Sequence, residues 1–199
     1  MLRFRKVAHI AAFLAIAIAA AAPTRADRAL AEAAPPAEAA PPAEPTVAAP
    51  ESVTLTSKTI IYVSGSGTWD TAYDTLVESF KEVKAYLDQA GIAAAGPGLT
   101  VYTALDDTGF NFQAGIPVAA APAKAPEGSI GVGTTPQGKA LKFVHRGSYD
   151  ATVATYDAIT HYLDDKQLEA EEMLVEEYIT DLTNTPEEKL VINIFIPLK

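Results

Sequence analysis

Cysteine is missing from this sequence of 199 residues. Without it the chain has no disulfide framework, no thiolate nucleophile, no cysteine-ligated metal and no lipid attached to an N-terminal cysteine. Histidine is scarce, with three in the chain. His145 is interpreted as a turn residue at a strand end, and His161 lies on a predicted helix without a second ligand at suitable spacing. We therefore expect no metal site and no cofactor.

Basic residues are also few. The chain has 15 Lys+Arg against 25 Asp+Glu, which gives a formal net charge of −10. This negative charge lies in the part of the chain from residue 53 onward, and a domain of that sign repels phosphate backbones. No segment resembles a helix-turn-helix or a basic arm. We expect no nucleic-acid partner, whereas a neutral or cationic organic molecule suits the charge; the sequence identifies no protein partner.

The apolar run at the N-terminus is too short to span a membrane. Ile10–Ala22 contains only apolar residues, and as a helix it would rise about 20 Å, against a bilayer core of roughly 30 Å. Basic residues precede this run and small residues follow it up to Ala26, a pattern typical of an export signal over residues 1–26. An uncleaved anchor is the alternative. Cleavage would leave a mature chain without a membrane span, periplasmic or secreted.

A tract rich in proline and alanine follows the signal, over residues 27–52. The hexapeptide "EAAPPA" occurs there twice in tandem, starting at Glu32 and at Glu38. Such a composition cannot build a core, and its prolines hold the backbone extended, so we interpret it as a disordered, semi-rigid linker. The folded domain is expected over residues 53–199, which is long enough to bury a core.

The predicted domain consists of two similar halves. Each has the order strand, helix, strand, strand, and in the second helix the apolar stripe comprises Val153, Tyr156, Ile159 and Leu163. "GTWD" (67–70) matches "GSYD" (147–150), and "FKEVKAYL" (80–87) matches "YDAITHYL" (156–163). The two alignments differ in offset by about one helical turn. They predict an α+β fold of duplicated strand-helix-strand-strand modules with pseudo-twofold symmetry around a central ligand cleft; chance similarity is the alternative.

The stretch "LVEEYITD" places two carboxylates and a phenol on a predicted strand. Because side chains alternate along a strand, Glu176 and Tyr178 should share one face and Glu177 should take the other. A lone carboxylate in an apolar cleft either protonates or awaits a positive ligand. In the alternative, Glu176 is solvated at a sheet edge or pairs with Lys139 or Lys142.

Three further stretches form a recognisable set: "GIPV" (115–118), "HRGSYDATVATYDAI" (145–159) and "EEYITD" followed by "PEEKLVINIFIPLK" near the end. Together they resemble the GyrI-like effector-binding domain, which also occurs on multidrug-responsive and AraC-type transcription regulators. The resemblance covers about residues 55–199. It implies that the E-x-Y strand places a buried acid and a tyrosine, here Glu176 and Tyr178, in an aromatic cleft that binds flat and often cationic molecules. The family usually continues this strand into Asp-Pro, whereas Leu182 follows Asp181 here.

Aromatic residues complete the candidate ligand-binding set of Glu176, Tyr178, Trp69, Tyr149 and Tyr102. Trp69 and Tyr149 stand at equivalent places before the two helices, and Tyr102 is the first-half counterpart of Tyr178. Large rings bury much area and can hold a cation on their faces. In the alternative, Trp69 and Tyr149 only staple each helix to the sheet.

Three functions remain open. The first is an exported protein that binds small, flat molecules, cationic or hydrophobic. The second is a hydrolase of electrophilic small molecules, in which Glu176 is the general base and Tyr178 the proton donor. The third is a haem carrier similar to the SOUL family, which the sequence favours least because no well-placed axial ligand is evident.

Overall fold

The computed structural model describes residues 49–199. The predicted signal peptide (1–26) and nearly all of the predicted linker (27–52) lie outside the described residues and stay predictions. The first strand begins at Glu51, slightly ahead of the domain boundary expected at residue 53. In the described part of the chain, no helix is both long and apolar enough to cross a membrane.

Within residues 49–199 the chain forms eight strands and two helices. The strands are β1 (Glu51–Leu55), β2 (Thr59–Thr68), β3 (Leu99–Leu105), β4 (Gly109–Pro117), β5 (Ile130–Thr134), β6 (Gly138–Arg146), β7 (Leu174–Tyr178) and β8 (Val191–Pro197). The helices are α1 (Ala72–Ala90) and α2 (Thr152–Lys166), each preceded by a 3-10 turn, Trp69–Thr71 and Tyr149–Ala151. The predicted α+β class is confirmed. Strands β1 and β5 were not predicted; both are short, and β5 is rich in glycine.

Helix α1 forms where its apolar stripe predicts. Its buried face includes Leu76, Phe80, Val83 and Leu87, at the three- and four-residue spacing of one helical side. The helix ends at Gly91, which takes the left-handed conformation with φ of 66°. This helix therefore presents a continuous apolar surface to the sheet.

Helix α2 departs from the predicted apolar stripe in its first turn. Val153 is 61% exposed, so the expected stripe is wrong at this position. Thr152 and Thr155 are buried instead, together with Ile159 and Leu163. The two threonines can face inward because their hydroxyls find partners close by: Thr152 donates to Tyr149 O at 2.6 Å.

All eight strands join one antiparallel sheet in the order β1-β6-β8-β7-β3-β4-β2-β5. Along the sheet, the second half contributes β6, β8 and β7, and the first half then contributes β3, β4 and β2. Strands β2, β4 and β3 are the counterparts of β6, β8 and β7, so the two sets stand in mirrored order. The two halves therefore have the same strand order and meet where β3 pairs with β7. This arrangement agrees with the predicted duplication of one module.

The centre of the sheet lies between Thr100 and Glu176. These residues are paired across β3 and β7, and they also occupy equivalent positions in the sequence repeat. Any twofold axis of the repeat therefore passes between them. Tyr102 and Tyr178 lie two residues further along their strands, one on each side of that axis.

The first and last strands of the order, β1 and β5, belong to two segments that run antiparallel side by side. Leu55 of β1 faces Gly138 of β6, and Thr59 of β2 faces Thr134 of β5, so one register continues through both connections. A small apolar cluster, comprising Ile60, Leu99, Val101 and Val175, lies on the face away from the helices. The sheet thus buries apolar side chains on both faces, although helices pack against only one.

Candidate ligand site around Glu176

Strand β7 places a carboxylate in the protein core. Glu176 and Tyr178 point to the face that α1 and α2 cover, whereas Val175 belongs to the cluster on the opposite face. Glu176 is 0% exposed. Because β7 lies between β3 and β8, it is an interior strand, and the alternative of a carboxylate solvated at a sheet edge is wrong.

Four tyrosine hydroxyls surround this carboxylate. Tyr178, Tyr102 and Tyr149 donate to Glu176 Oε2 at 2.7, 2.8 and 3.2 Å. Tyr156 donates to Oε1 at 2.6 Å. The hydroxyls of Tyr102 and Tyr149 are also 2.8 Å apart, and because each phenol has a single proton, one could donate to the other only in place of its bond to Oε2. We call these five residues the tyrosine cluster.

No lysine takes part in the tyrosine cluster, so the suggested pairing of Glu176 with Lys139 or Lys142 is wrong. Both lysines lie on β6, which β8 separates from β7. Lys142 instead pairs with Glu51, at 3.4 Å. The hydrogen bonds that Glu176 makes within the described chain come from neutral phenols, so its ionised form carries a net negative charge into the core.

The tyrosines act as hydrogen-bond donors throughout the physiological pH range. Burial, and after it the charge of Glu176, raises the pKa of all four phenols well above the usual value for tyrosine. A buried charge requires polar partners in place of water, and protonated phenols supply them. The arrangement of the described residues therefore stabilises a carboxylate with hydroxyls and not with a counter-ion.

A buried histidine holds the turn that presents Tyr149. His145 lies at the end of β6, and its ring nitrogens are 2.8 Å from Thr155 Oγ1 and 3.0 Å from Ser148 O. Since a carbonyl only accepts, Nε2 donates to Ser148 and, in the neutral ring, Nδ1 accepts from Thr155. Gly147 follows with φ of 119°, which favours glycine. The histidine thus serves the turn, as the sequence indicated.

Trp69 does not reach the carboxylate, although it is the sequence counterpart of Tyr149. It is 43% exposed, and its indole N–H donates to Asp106 O at 2.8 Å. Its ring centroid lies 5.0 Å from that of Phe110. The bond to the β3–β4 hairpin directs this side chain away from Glu176, so the structure supports the staple interpretation for Trp69 and not for Tyr149.

Tyr156 belongs to the site, but the sequence analysis assigned it only to the inward stripe of α2. Its counterpart in the repeat is Phe80, which packs edge to face against Tyr178 with ring centroids 5.3 Å apart. A hydroxyl on an otherwise apolar stripe needs a buried partner. That mismatch between the two halves was the signal that could have identified Tyr156.

Glu177 lies on the opposite face of the sheet, as the alternation predicted. Lys58 Nζ is 2.9 Å from its Oε1, and Asn193 Nδ2 donates to Oε2 at 3.3 Å. A groove of about 200 Å³ adjoins this pair. Neighbouring glutamates in one strand therefore have separate surroundings, one ion-paired and the other held by phenols.

A second groove reaches the tyrosine cluster from the side of α1. Its volume is about 250 Å³, and its lining includes Phe80, Ile179, Leu182 and Tyr178. We call it the α1 groove. Tyr178 separates it from Glu176, which has no exposed surface. Direct contact between a ligand and the carboxylate therefore requires tyrosine side chains to move.

A sequence profile for the GyrI-like small molecule binding domain matches residues 48–199. A comparison with curated protein sequences gives no significant match. The profile covers the whole sheet, both helices and every member of the tyrosine cluster.

Solved structures with the same fold include a protein in a DNA complex, a protein with a bound organic cation and a hydrolase. EcmrR, in a complex with DNA, is 15% identical with a TM-score of 0.65 and is matched over 76% of this chain, which spans only 57% of the EcmrR chain. SAV2435 bound to tetraphenylphosphonium is 16% identical with a TM-score of 0.54, over 76% of this chain and 94% of its own. A hydrolase from Listeria innocua is 14% identical with a TM-score of 0.53, over 75% of this chain and 91% of its own. At these identities the likeness is one of fold.

Proposed function

The chain belongs to the GyrI-like family of small-molecule-binding domains, and we propose that it binds flat organic molecules, cationic or hydrophobic, against the tyrosine cluster. The observation that carries this proposal is a fully buried carboxylate, Glu176, whose described partners are all neutral phenols. At an effective dielectric near 20, a cation about 4 Å from a carboxylate gains about 4 kcal/mol before its own desolvation is counted. The surrounding rings would add cation–π attraction.

The cationic and aromatic character of the ligand, though not its flat shape, is supported by one structural neighbour. SAV2435 was solved with tetraphenylphosphonium, a tetrahedral cation enclosed by four phenyl rings. A buried acid among aromatic side chains is suited to this class of molecule, because the rings contact the apolar surface while the carboxylate attracts the charge. We extend that chemistry to this chain as a proposal.

Hydrolysis is the second candidate, because Glu176 and Tyr178 are in direct hydrogen-bond contact at 2.7 Å and one neighbour is a hydrolase. A general acid works best when its pKa lies near the working pH. Burial and the charge of Glu176 raise the pKa of Tyr178 well above the usual value, so its hydroxyl is a better hydrogen-bond donor than proton donor. This favours binding over turnover. A haem carrier has the least support, since both ring nitrogens of His145 are already engaged.

We further propose that the domain works outside the cytoplasm. The support is the N-terminal pattern of basic residues, a short apolar run and small residues near Ala26. The proline-rich tract that follows would then separate the ligand-binding domain from the membrane or from another surface.

Calorimetry on matched variants tests the binding site. Glu176→Gln keeps the volume of the side chain but removes its charge, so we expect it to weaken tetraphenylphosphonium by about 1–3 kcal/mol. The neutral analogue triphenylphosphine oxide should bind nearly as before. Glu177→Gln, on the opposite face, should change neither affinity. Equal losses for the two glutamate variants, or no loss for either, would contradict the assignment.

A further inference from the structure

The α1 groove has the size and surface of a small aromatic subsite. Its volume is about 250 Å³, and apolar groups dominate its lining, among them Phe80, Pro97, Ile116, Ile179 and Leu182. An apolar cavity of about 150 Å³ is enough to bind benzene. The α1 groove therefore has room for one or two fused rings.

One wall of the groove is aromatic and touches the tyrosine cluster. Tyr178 lines the groove and donates its hydroxyl to Glu176. Phe80 packs edge to face against Tyr178, and both side chains are largely buried, so the two rings present only small areas to the groove. At the rim, Ile179 is 50% exposed. A planar ligand in the groove would cover this isoleucine and contact the accessible parts of Phe80 and Tyr178.

A fixed anion lies at the rim of the groove. Asp181 Oδ1 accepts from the Thr183 N–H at 2.9 Å, and Oδ2 accepts from Asn184 Nδ2 at 2.9 Å. Burial opposes the charge of Asp181, but the hydrogen bonds from Lys84, Thr183 and Asn184 outweigh it and lower its pKa to about 2. The carboxylate is therefore ionised at neutral pH and held in one orientation by its own loop.

The cation that pairs with Asp181 is a lysine on a flexible side chain. Lys84 Nζ lies 2.5 Å from Asp181 Oδ2 and 2.7 Å from Thr183 Oγ1. The Lys84 side chain is 35% exposed and that of Asp181 is 43% exposed. Pairs as exposed as this one contribute about 1 kcal/mol or less. Another cation could therefore displace Lys84 at little cost.

We propose that the α1 groove is a subsite for aromatic cations of one or two rings, whose charged group replaces Lys84 beside Asp181. The ring system fills the groove between Phe80, Ile179 and Leu182, and its far edge approaches the tyrosine cluster at Tyr178. Lys84 acts as a built-in competitor that lowers the affinity for every cation. Only a cation whose rings also fill the groove overcomes this competition, so simple alkylammonium ions are rejected. This inference rests on the proposed function, since the groove and the cluster share Tyr178.

The test compares a charged and a neutral probe with the same two rings, N-methylquinolinium and quinoline, titrated into the mature chain. Lys84→Gln removes the competitor, so it should bind N-methylquinolinium roughly two- to fivefold tighter. Asp181→Asn should bind it at least twofold more weakly, and neither substitution should alter quinoline binding. Raising the salt concentration should shrink both effects. Lys81→Gln is the matched control, because this α1 lysine pairs with Glu78 instead.

A steric variant tests the position of the rings independently of charge. Gly96 lines the groove, and a Cβ placed on it would come no nearer than 3.6 Å to another residue, so the backbone accepts a side chain there. Gly96→Leu should therefore weaken both probes at least tenfold without lowering the melting temperature. A thermal melt of each variant also detects any loss of folding in Asp181→Asn, and Lys84→Gln then decides the charge effect alone.

The outcomes separate this inference from the proposed function. If Glu176→Gln weakens N-methylquinolinium while the Lys84, Asp181 and Gly96 variants bind like the native chain, the cluster binds cations and the subsite is refuted. If Glu176→Gln has no effect but the groove variants do, the groove binds and the proposed role of the cluster fails. Absence of N-methylquinolinium binding to the native chain refutes the subsite directly.

Discussion

Removing one hydroxyl from the tyrosine cluster should cost more at Tyr156 than at any other position. Tyr156 donates to Glu176 Oε1 at 2.6 Å, whereas the other three tyrosines all donate to Oε2. Tyr156→Phe therefore leaves Oε1 without a partner at a residue that is 0% exposed. Each of the other Tyr→Phe substitutions leaves Oε2 with two remaining donors.

The size of each loss in stability follows from how many hydrogen-bond donors remain on the affected carboxylate oxygen. A hydrogen bond to a charged group contributes about 1.5–3 kcal/mol, and a buried acceptor left unsatisfied costs about 1–3 kcal/mol. We expect Tyr156→Phe to lower the free energy of unfolding by about 2–3 kcal/mol. Tyr178→Phe should cost about 1 kcal/mol, and Tyr149→Phe less, because its bond to Oε2 is the longest, at 3.2 Å.

Urea denaturation of the four variants measures these differences, and a thermal melt should show a decrease of about 4–12 °C for Tyr156→Phe. Tyr162→Phe is the control on the same helix. The Tyr162 ring packs against Phe143 with centroids 5.8 Å apart and lies outside the cluster, so this substitution should cost little. The reasoning is refuted if Tyr156→Phe costs no more than Tyr149→Phe or Tyr162→Phe.

Two further predictions concern pH and processing. Because burial and the charge of Glu176 raise the pKa of the four cluster tyrosines, their contribution to stability is complete below the unfolded-state pKa near 10 and is lost as the pH rises above it. Urea unfolding between pH 8 and pH 11 should show that the free energy of unfolding falls by up to about 5 kcal/mol per pH unit above pH 10. In each Tyr→Phe variant this slope should be smaller by about a quarter. A free energy of unfolding that does not change with pH would contradict the burial of these phenols. Intact-mass measurement of periplasmic protein should give a mature chain that begins close to Asp27, and cytoplasmic protein that retains Met1 would argue against export.

Local patterns in the sequence were enough to predict the element order of each half. Period-two alternation placed Glu176 and Tyr178 on one face of β7 and Glu177 on the other, because adjacent side chains of a strand must point to opposite sides. The apolar stripe and closing glycine of α1 were equally local signals. The E-x-Y strand and the turn before α2 in the second half, together with "GIPV" in the first, carried the resemblance to the GyrI-like family, which the profile match to residues 48–199 confirms.

The membership of the site depended on contacts between residues far apart in the chain. Trp69 and Tyr149 match in the repeat, yet only Tyr149 reaches Glu176, because Asp106 on another hairpin accepts the indole N–H of Trp69. Likewise Tyr156 lies on an apolar stripe in the sequence, and only the position of α2 over β7 brings its hydroxyl to the carboxylate.

The tertiary structure also decided which charged residues form ion pairs. Lys84 and Asp181 meet across the sheet–helix packing, and Lys58 rather than a β6 lysine pairs with a β7 glutamate, Glu177. Periodicity determines which side of an element a residue faces, but strand order and helix rotation determine which residue it meets. The sequence by itself therefore determined that a buried acid and a tyrosine would share a face, and the tertiary structure decided that four phenols would surround that acid.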